Sequence, residues 1–151
     1  MQVEQVMSHQ VKSCRASDTL ATAARIMWDH DIGAVPVVAD GGRPVGVVTD
    51  RDICMASLIQ GKLLSEIPVM NVAATEPCVA REDDPVEVVE SLMRNHQVRR
   101  IPIVDNTRRL VGIISLNDIA RHTRQNGGHH DALSPEVVAS TLAAISAPHG
   151  A

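Results

Sequence analysis

The amino-acid sequence predicts a mixed α/β (α+β) fold of two β-α-β-β-α repeats followed by a short C-terminal helical tail. Three observations predict it. First, one pattern recurs at an offset of 66 residues: Asp18 matches Asp84, Met27 Met93, His30 His96, Pro36 Pro102, Gly46 Gly112, Asp52 Asp118 and Ile53 Ile119. Ordered coincidences at one offset mark an internal repeat. Second, helix-period and strand-length apolar runs alternate within each copy, separated by turn residues. Third, 44% of the 151 residues are hydrophobic but 1% are aromatic, and 20 Val, 17 Ala, 11 Ile and 9 Leu require an aliphatic core. This length fits one compact domain, or two small units sharing a core.

The repeats span about Val6–Gln60 and Val69–Gln125, which divides the chain into residues 1–62, 63–126 and a tail of 127–151. A short strand is expected near Val11–Cys14. A helix follows from Asp18 to about His30, with Leu20, Ala23, Ala24 and Met27 at i, i+3, i+4, i+7 as one apolar stripe. Its counterpart opens with Asp84-Pro85-Val86-Glu87, which reads as an acidic N-cap, a proline at the first helical position and a capping-box glutamate. Ala34–Ala39 and Pro44–Thr49 form a hairpin around Asp40-Gly41-Gly42-Arg43. Ile101–Asp105 and Leu110–Ser115 repeat it around Asn106-Thr107-Arg108-Arg109. A second helix follows in each copy, Asp50–Gln60 or Leu116–Gln125. One such unit is too small to bury its own sheet and helix faces, so the two are expected to pack together. After Asn126-Gly127-Gly128 the pattern stops. Ser134-Pro135-Glu136 opens a final helix with Val137, Val138, Thr141, Leu142 and Ile145 as its apolar side, ending at Ala147-Pro148-His149-Gly150. It reads as a packing or dimer-contact segment.

Composition excludes several functions. Single-stranded nucleic-acid platforms and ammonium cages need aromatic faces, and Trp28 stands alone. Fourteen Lys+Arg against eighteen Asp+Glu give a net charge of −4, which favours neither a nucleic-acid backbone nor an anionic membrane surface. No apolar run approaches the ~18 residues of a spanning helix. The start lacks the basic and apolar regions of a signal peptide. Cys14, Cys54 and Cys78 are odd in number with no C-x-x-C pairing, so they read as reduced, mostly buried thiols of a cytoplasmic protein.

The segments that carry chemistry are Gly46-Val47-Val48-Thr49-Asp50-Arg51-Asp52 and Gly112-Ile113-Ile114-Ser115-Leu116-Asn117-Asp118. Both follow G-h-h-[T/S]-x-x-D at a strand–helix junction. A hydroxyl residue followed three positions later by an acid is a capping box, and that role needs no ligand. The same junction also exposes unpaired N–H groups and a positive dipole end to a phosphate. An ionised aspartate there accepts both hydroxyls of a ribose.

With the tandem unit and the h-x-P-h strand, these junctions resemble a pair of CBS domains, the regulatory Bateman module, over roughly Val6 to Gln125. The stand-alone pair, with Asp-Ile-Gly-Ala-Val-Pro and Gln-Val-Arg-Arg-Ile-Pro, is similar to small bacterial proteins associated with stress or dormancy. The resemblance implies a pseudo-twofold axis and two clefts, each combining the Thr/Ser and Asp of one repeat with the strand before x-x-Pro of the other. One site would take Thr49 and Asp52 with Arg99, Arg100 and Ile101. Asp52 would hold the ribose, Thr49 and the arginines the phosphates, and Val48 and Ile101 would flank the base. The other would take Ser115 and Asp118 with Gly33, Ala34 and Val35. It has Asn117 where the first has Arg51, so a charged nucleotide favours the first site. The implied ligand is AMP, ADP or ATP ahead of NAD or S-adenosylmethionine. The implied assembly is a homodimer formed through the helices and signalling to an unknown protein partner, without a nucleic-acid platform or a membrane.

Other readings stand beside this one. His129 and His130 next to Asp131, with His122 upstream, suggest a metal-binding stress protein, although no H-x3-H or C-x-x-C spacing accompanies them. No metal site is assigned. No motif pairs a nucleophile with a base, so no catalytic residue is expected. A ligand-free dimeric scaffold for a protein partner is the main alternative.

Overall fold

The computed structural model describes residues 1–125 and 133–148. Its elements run β1 (Cys14–Arg15), α1 (Leu20–His30), β2 (Ala34–Val38), β3 (Pro44–Thr49), α2 (Asp50–Gln60) and β4 (Ala74–Thr75). Then follow β5 (Ala80–Arg81), α3 (Val86–His96), β6 (Arg100–Val104), β7 (Leu110–Ser115), α4 (Leu116–Gln125) and α5 (Pro135–Ile145). The predicted β-α-β-β-α order therefore appears twice, and the tail helix is present.

One compact unit comprises Lys12–Pro77 with Thr107–Leu110. Its sheet has the order β1-β2-β3-β4. β1 is shorter than the predicted Val11–Cys14 strand and shifted, because only Cys14 and Arg15 pair, in parallel, with Val37 and Val38. β2 and β3 form the predicted hairpin, with Ala34 opposite Thr49 and Val35 opposite Val48. Gly41 and Gly42 take φ of 87° and 85° at its turn, a conformation that side chains with a Cβ disfavour. A segment outside the predicted pattern finishes the sheet: β4 pairs antiparallel with β3 through Gly46–Thr75 and Val47–Ala74.

The other unit comprises Met1–Val11, Cys78–Asn106 and the described residues from Val111 onward. Its sheet has the order β5-β6-β7. The N-terminal segment pairs with β7 here through a single antiparallel bridge, where Ser8 N–H donates to the Ile113 carbonyl at 2.9 Å and Ile113 N–H to the Ser8 carbonyl at 3.1 Å. The repeat extends to individual hydrogen bonds. Val3 N–H reaches the Asp84 carbonyl and Val69 N–H the Asp18 carbonyl, both at 2.9 Å and 66 residues apart.

The helix starts differ from expectation. Asp18 and Asp84 do not cap α1 and α3. Their Oδ2 atoms accept from Arg15 N–H at 2.7 Å and Arg81 N–H at 2.8 Å. Each aspartate thus closes the turn between strand and helix, and the helices begin at Leu20 and Val86. Pro85 occupies the cap position itself with extended ψ of 144°.

Each unit has an aliphatic core. Leu20, Ala23, Met27, Val35, Val37, Val48 and Ile53 are among the buried residues of the first. Val86, Val89, Met93, Ile101, Ile103, Ile114 and Ile119 serve the second, with Val3 and Met7 of the N-terminal segment added. α5 packs on α3 and α4. Leu133 and Ile145 join the second core, whereas Leu142, predicted on the apolar side, stays 46% exposed.

Candidate functional site

The junction motif folds as a capped helix start in both repeats. At α2, Thr49 Oγ1 accepts from Asp52 N–H at 3.2 Å, and Asp52 Oδ2 accepts from Thr49 N–H at 2.9 Å. At α4, Ser115 Oγ accepts from Asp118 N–H at 3.2 Å. Asp118 Oδ2 accepts from Ser115 N–H at 2.8 Å and from Ser115 Oγ–H at 2.6 Å. These reciprocal bonds satisfy two otherwise orphaned donors at each helix start. All four side chains are half-buried, so the pairs remain open to solvent on one side.

The two carboxylates differ in what remains available. The cap engages Asp52 through Oδ2 and leaves Oδ1 outside it. Asp118 is engaged at both oxygens, because Arg121 Nη2 ion-pairs with Oδ1. Sequence reasoning missed Arg121, although its i,i+3 spacing from Asp118 on one helix was the available signal.

The strand before each x-x-Pro lies beside the junction of its own repeat. Asp50 N–H donates to the Gly33 carbonyl at 3.1 Å, and Leu116 N–H to the Arg99 carbonyl at 3.0 Å. In the first unit this brings Gly33, Ala34 and Val35 alongside Thr49 and Asp52. In the second it brings Arg99, Arg100 and Ile101 alongside Ser115 and Asp118. The surroundings are electrostatically opposite. A Cβ at Gly33 would lie 3.1 Å from Asp50 Oδ2, an acid that sequence reasoning also passed over. The corresponding second-repeat edge carries exposed Arg99 and half-buried Arg100. Arg51 and Asn117 are both exposed.

Val35, Val48 and Ile101 have relative exposures of 0%. Val48 and Ile101, expected to flank a base, lie in the aliphatic cores. Val48 lies on the buried side of the alternating strand β3, whereas Val35 and Ile101 belong to continuously buried runs of β2 and β6.

Of the three free cysteines, Cys14 is buried, Cys78 half-buried and Cys54 exposed. Cys14 is 2% exposed, and burial, then the nearby Asp18 charge, pushes its thiol up to about 11. Burial also raises Cys78. Nucleophilic thiols need the opposite shift. Among the described residues, no three His, Cys, Asp or Glu side chains are grouped to hold a metal ion. His129, His130 and Asp131 lie outside the described residues. No described helix is long and apolar enough to cross a membrane.

Comparison with known proteins places these features in a family. The CBS-domain family model matches residues 3–59 and again 65–124. The CBS domain-containing protein YhcV of Bacillus subtilis is 37% identical over 132 residues, covering 87% of this chain and 92% of that protein. The crystal structure of Hypoxic Response Protein I with two coordinated zinc ions is 34% identical with a TM-score of 0.74, covering 81% of this chain and 98% of that one. The CBS-domain protein PAE2072 of Pyrobaculum aerophilum, complexed with AMP, is 28% identical with a TM-score of 0.72, covering 79% and 90%. The repeated junction, the duplicated fold and these matches converge: the chain belongs to the CBS-domain family, as a tandem pair of CBS domains.

Proposed function

We propose that this tandem pair is a regulatory sensor of an adenosine-containing nucleotide, of the AMP, ADP or ATP class. The observation that carries the reading is the half-exposed hydroxyl–carboxylate pair at the start of α2 and again of α4. The AMP complex of PAE2072 supports the ligand class. Asp52 and Asp118 are the ribose acceptors, and Asp52 is the stronger candidate because one oxygen lies outside its cap. Thr49, with Arg51, Arg99 and Arg100, donates to the phosphates, and Ser115 does so once its hydroxyl gives up its bond to Asp118. Gly33, Ala34 and Val35 line the strand beside Thr49. Binding signals by favouring one conformation, and so one surface, over another. The chain acts as a cytoplasmic homodimer that passes its signal to a separate protein.

A melting screen with AMP, ADP, ATP, NAD and S-adenosylmethionine tests this reading. A ligand at 100 times its Kd adds ~2.7 kcal/mol of stability. AMP, ADP or ATP is expected to shift the transition, and calorimetry is expected to show that Asp52→Ala abolishes the binding. No shift with any compound, or unchanged affinity in Asp52→Ala, would overturn the assignment.

One observation favours a second reading, a ligand-free scaffold. The first repeat's helices leave Trp28, Leu58 and Ile59 at 84%, 76% and 77% exposure, an apolar face suited to protein contact. A silent ligand screen with intact oligomerisation would support it.

A further inference from the structure

The C-terminal helix α5 rests on α3 and α4. Three buried side-chain oxygens on these helices have no hydrogen-bond partner: Glu90 Oε1 on α3, Thr123 Oγ1 on α4 and Thr141 Oγ1 on α5. Their residues are 2%, 4% and 0% exposed. Buried polar groups are ordinarily paired, and an unpaired one weakens the packing that encloses it.

The internal repeat isolates the cause. The residues 66 positions before Glu90 and Thr123 are Ala24 and Ser57, which are half-buried and exposed. Among the described residues α1 is met by the short Leu64–Glu66 turn, and no helix packs on both α1 and α2 as α5 packs on α3 and α4, so α5 is the element that the enclosed pair has and its counterparts lack. The helix is held by apolar contacts of Leu133, Val138 and Ile145 with the core. Gln97 Nε2 adds hydrogen bonds to the carbonyls of Ala144 at 3.3 Å and Ala147 at 3.1 Å.

We propose that α5 is a detachable cover on α3 and α4, docked while Glu90 is neutral and released as that carboxyl ionises. Burial raises the Glu90 carboxyl above its ordinary value, Arg94 opposes the rise and Glu87 adds to it. The other charged or titratable groups on α3 and on the elements packed against it include His96 of α3 itself, the Met1 amine and Glu4 of the N-terminal segment, Arg100 of β6 and Glu136 of α5. On α4, which α5 also touches, they are Asp118, Arg121, His122 and Arg124. None of them hydrogen-bonds to Glu90 Oε1. The neutral carboxyl tolerates enclosure, whereas the ionised one is better solvated once α5 lifts. Docking is therefore complete at acid pH and weakens as pH rises above the usual carboxylate range. This switch uses none of the residues assigned to nucleotide binding.

Hydrogen exchange of the full-length chain tests it, with rates expressed as protection factors so that the intrinsic pH dependence cancels. Protection of residues 135–145 is expected to fall about tenfold between ~pH 5 and ~pH 8 while that of α1 holds. Glu90→Gln, which keeps the shape without the charge, is expected to give α5 protection that is flat with pH. Thr141→Val removes one unpaired hydroxyl from the interface. It is expected to raise α5 protection at both pH values and to retain the pH dependence. PH-independent α5 protection in the unmodified chain, an equal fall in Glu90→Gln, or no gain in Thr141→Val would overturn the proposal. If Glu90→Gln fails to fold, the unmodified chain and Thr141→Val still decide it.

Discussion

A Cβ added at Gly112 would lie 2.6 Å from Met7 Sδ and 3.0 Å from the Ser8 carbonyl oxygen. At Gly46, the matching position, it would lie 3.1 Å from the Ala74 carbonyl and 3.2 Å from Ala73 Cβ. The glycine of each junction motif therefore admits a crossing backbone segment, a role separate from any ligand. Gly112→Ala is expected to destabilise the chain by about 1–3 kcal/mol in urea unfolding, because the Ser8 backbone cannot move aside as the Met7 sulfur can. Met7→Ala alone should cost about 2–5 kcal/mol. The double variant should lose less than the sum of the two, since truncating Met7 relieves part of the overlap. Strict additivity would show that the two residues do not share this contact. At this scale the motif letters were legible in the sequence, but their division of labour was not. Asp18 and Asp84 stood where caps stand and instead close turns, a choice set by which nearby N–H each carboxylate reaches. Val48 and Ile101 were recognisable as strand residues, yet the side of the sheet they face depends on the folded pairing.

Periodicity carried the helices and hairpins, because an aliphatic stripe every three or four residues and paired apolar runs around a turn are local signals. α2 and α4 match their predicted limits, as do the hairpin returns at Pro44–Thr49 and Leu110–Ser115. The segments that finish each sheet lacked such a signal. β4 has two residues, and at the N-terminus the pairing is the single Ser8–Ile113 bridge. Neither is long enough to alternate visibly. The 66-residue offset still relates Val3 to Val69, and both are 0% exposed in short helical turns that precede the pairing. Val3→Ala and Val69→Ala are accordingly expected to cost similar stability, about 2 kcal/mol each, from lost burial and the cavity left behind. Chemical denaturation of the two variants checks the equivalence. A Val3→Ala variant as stable as the unmodified chain would mean that the N-terminal segment does not complete its unit.

Across the whole molecule, the compact units differ from the linear repeats, because Met1–Val11 belongs with the second repeat's strands. A linear offset reveals that two copies exist without revealing which copy a flanking segment completes. It does expose an asymmetry with a consequence for assembly. Trp28, Leu58 and Ile59 of α1 and α2 are largely exposed, and the residues 66 positions later are Arg94, Arg124 and Gln125. At these positions the first repeat thus presents apolar side chains where the second presents polar ones. Burying such side chains yields roughly 1.5–3 kcal/mol each, and a twofold contact between copies would count each of them twice. A second copy of the chain is the occupant that the proposed homodimer assigns to this face. Leu58→Arg combined with Ile59→Gln gives the first repeat the residues that the second already carries at those positions, so the substitutions suit the fold. Sedimentation is expected to show a dimer for the unmodified chain and a monomer for the double variant, with unchanged circular dichroism. A monomeric unmodified chain, or a dimer that survives both substitutions, would remove this face from the assembly.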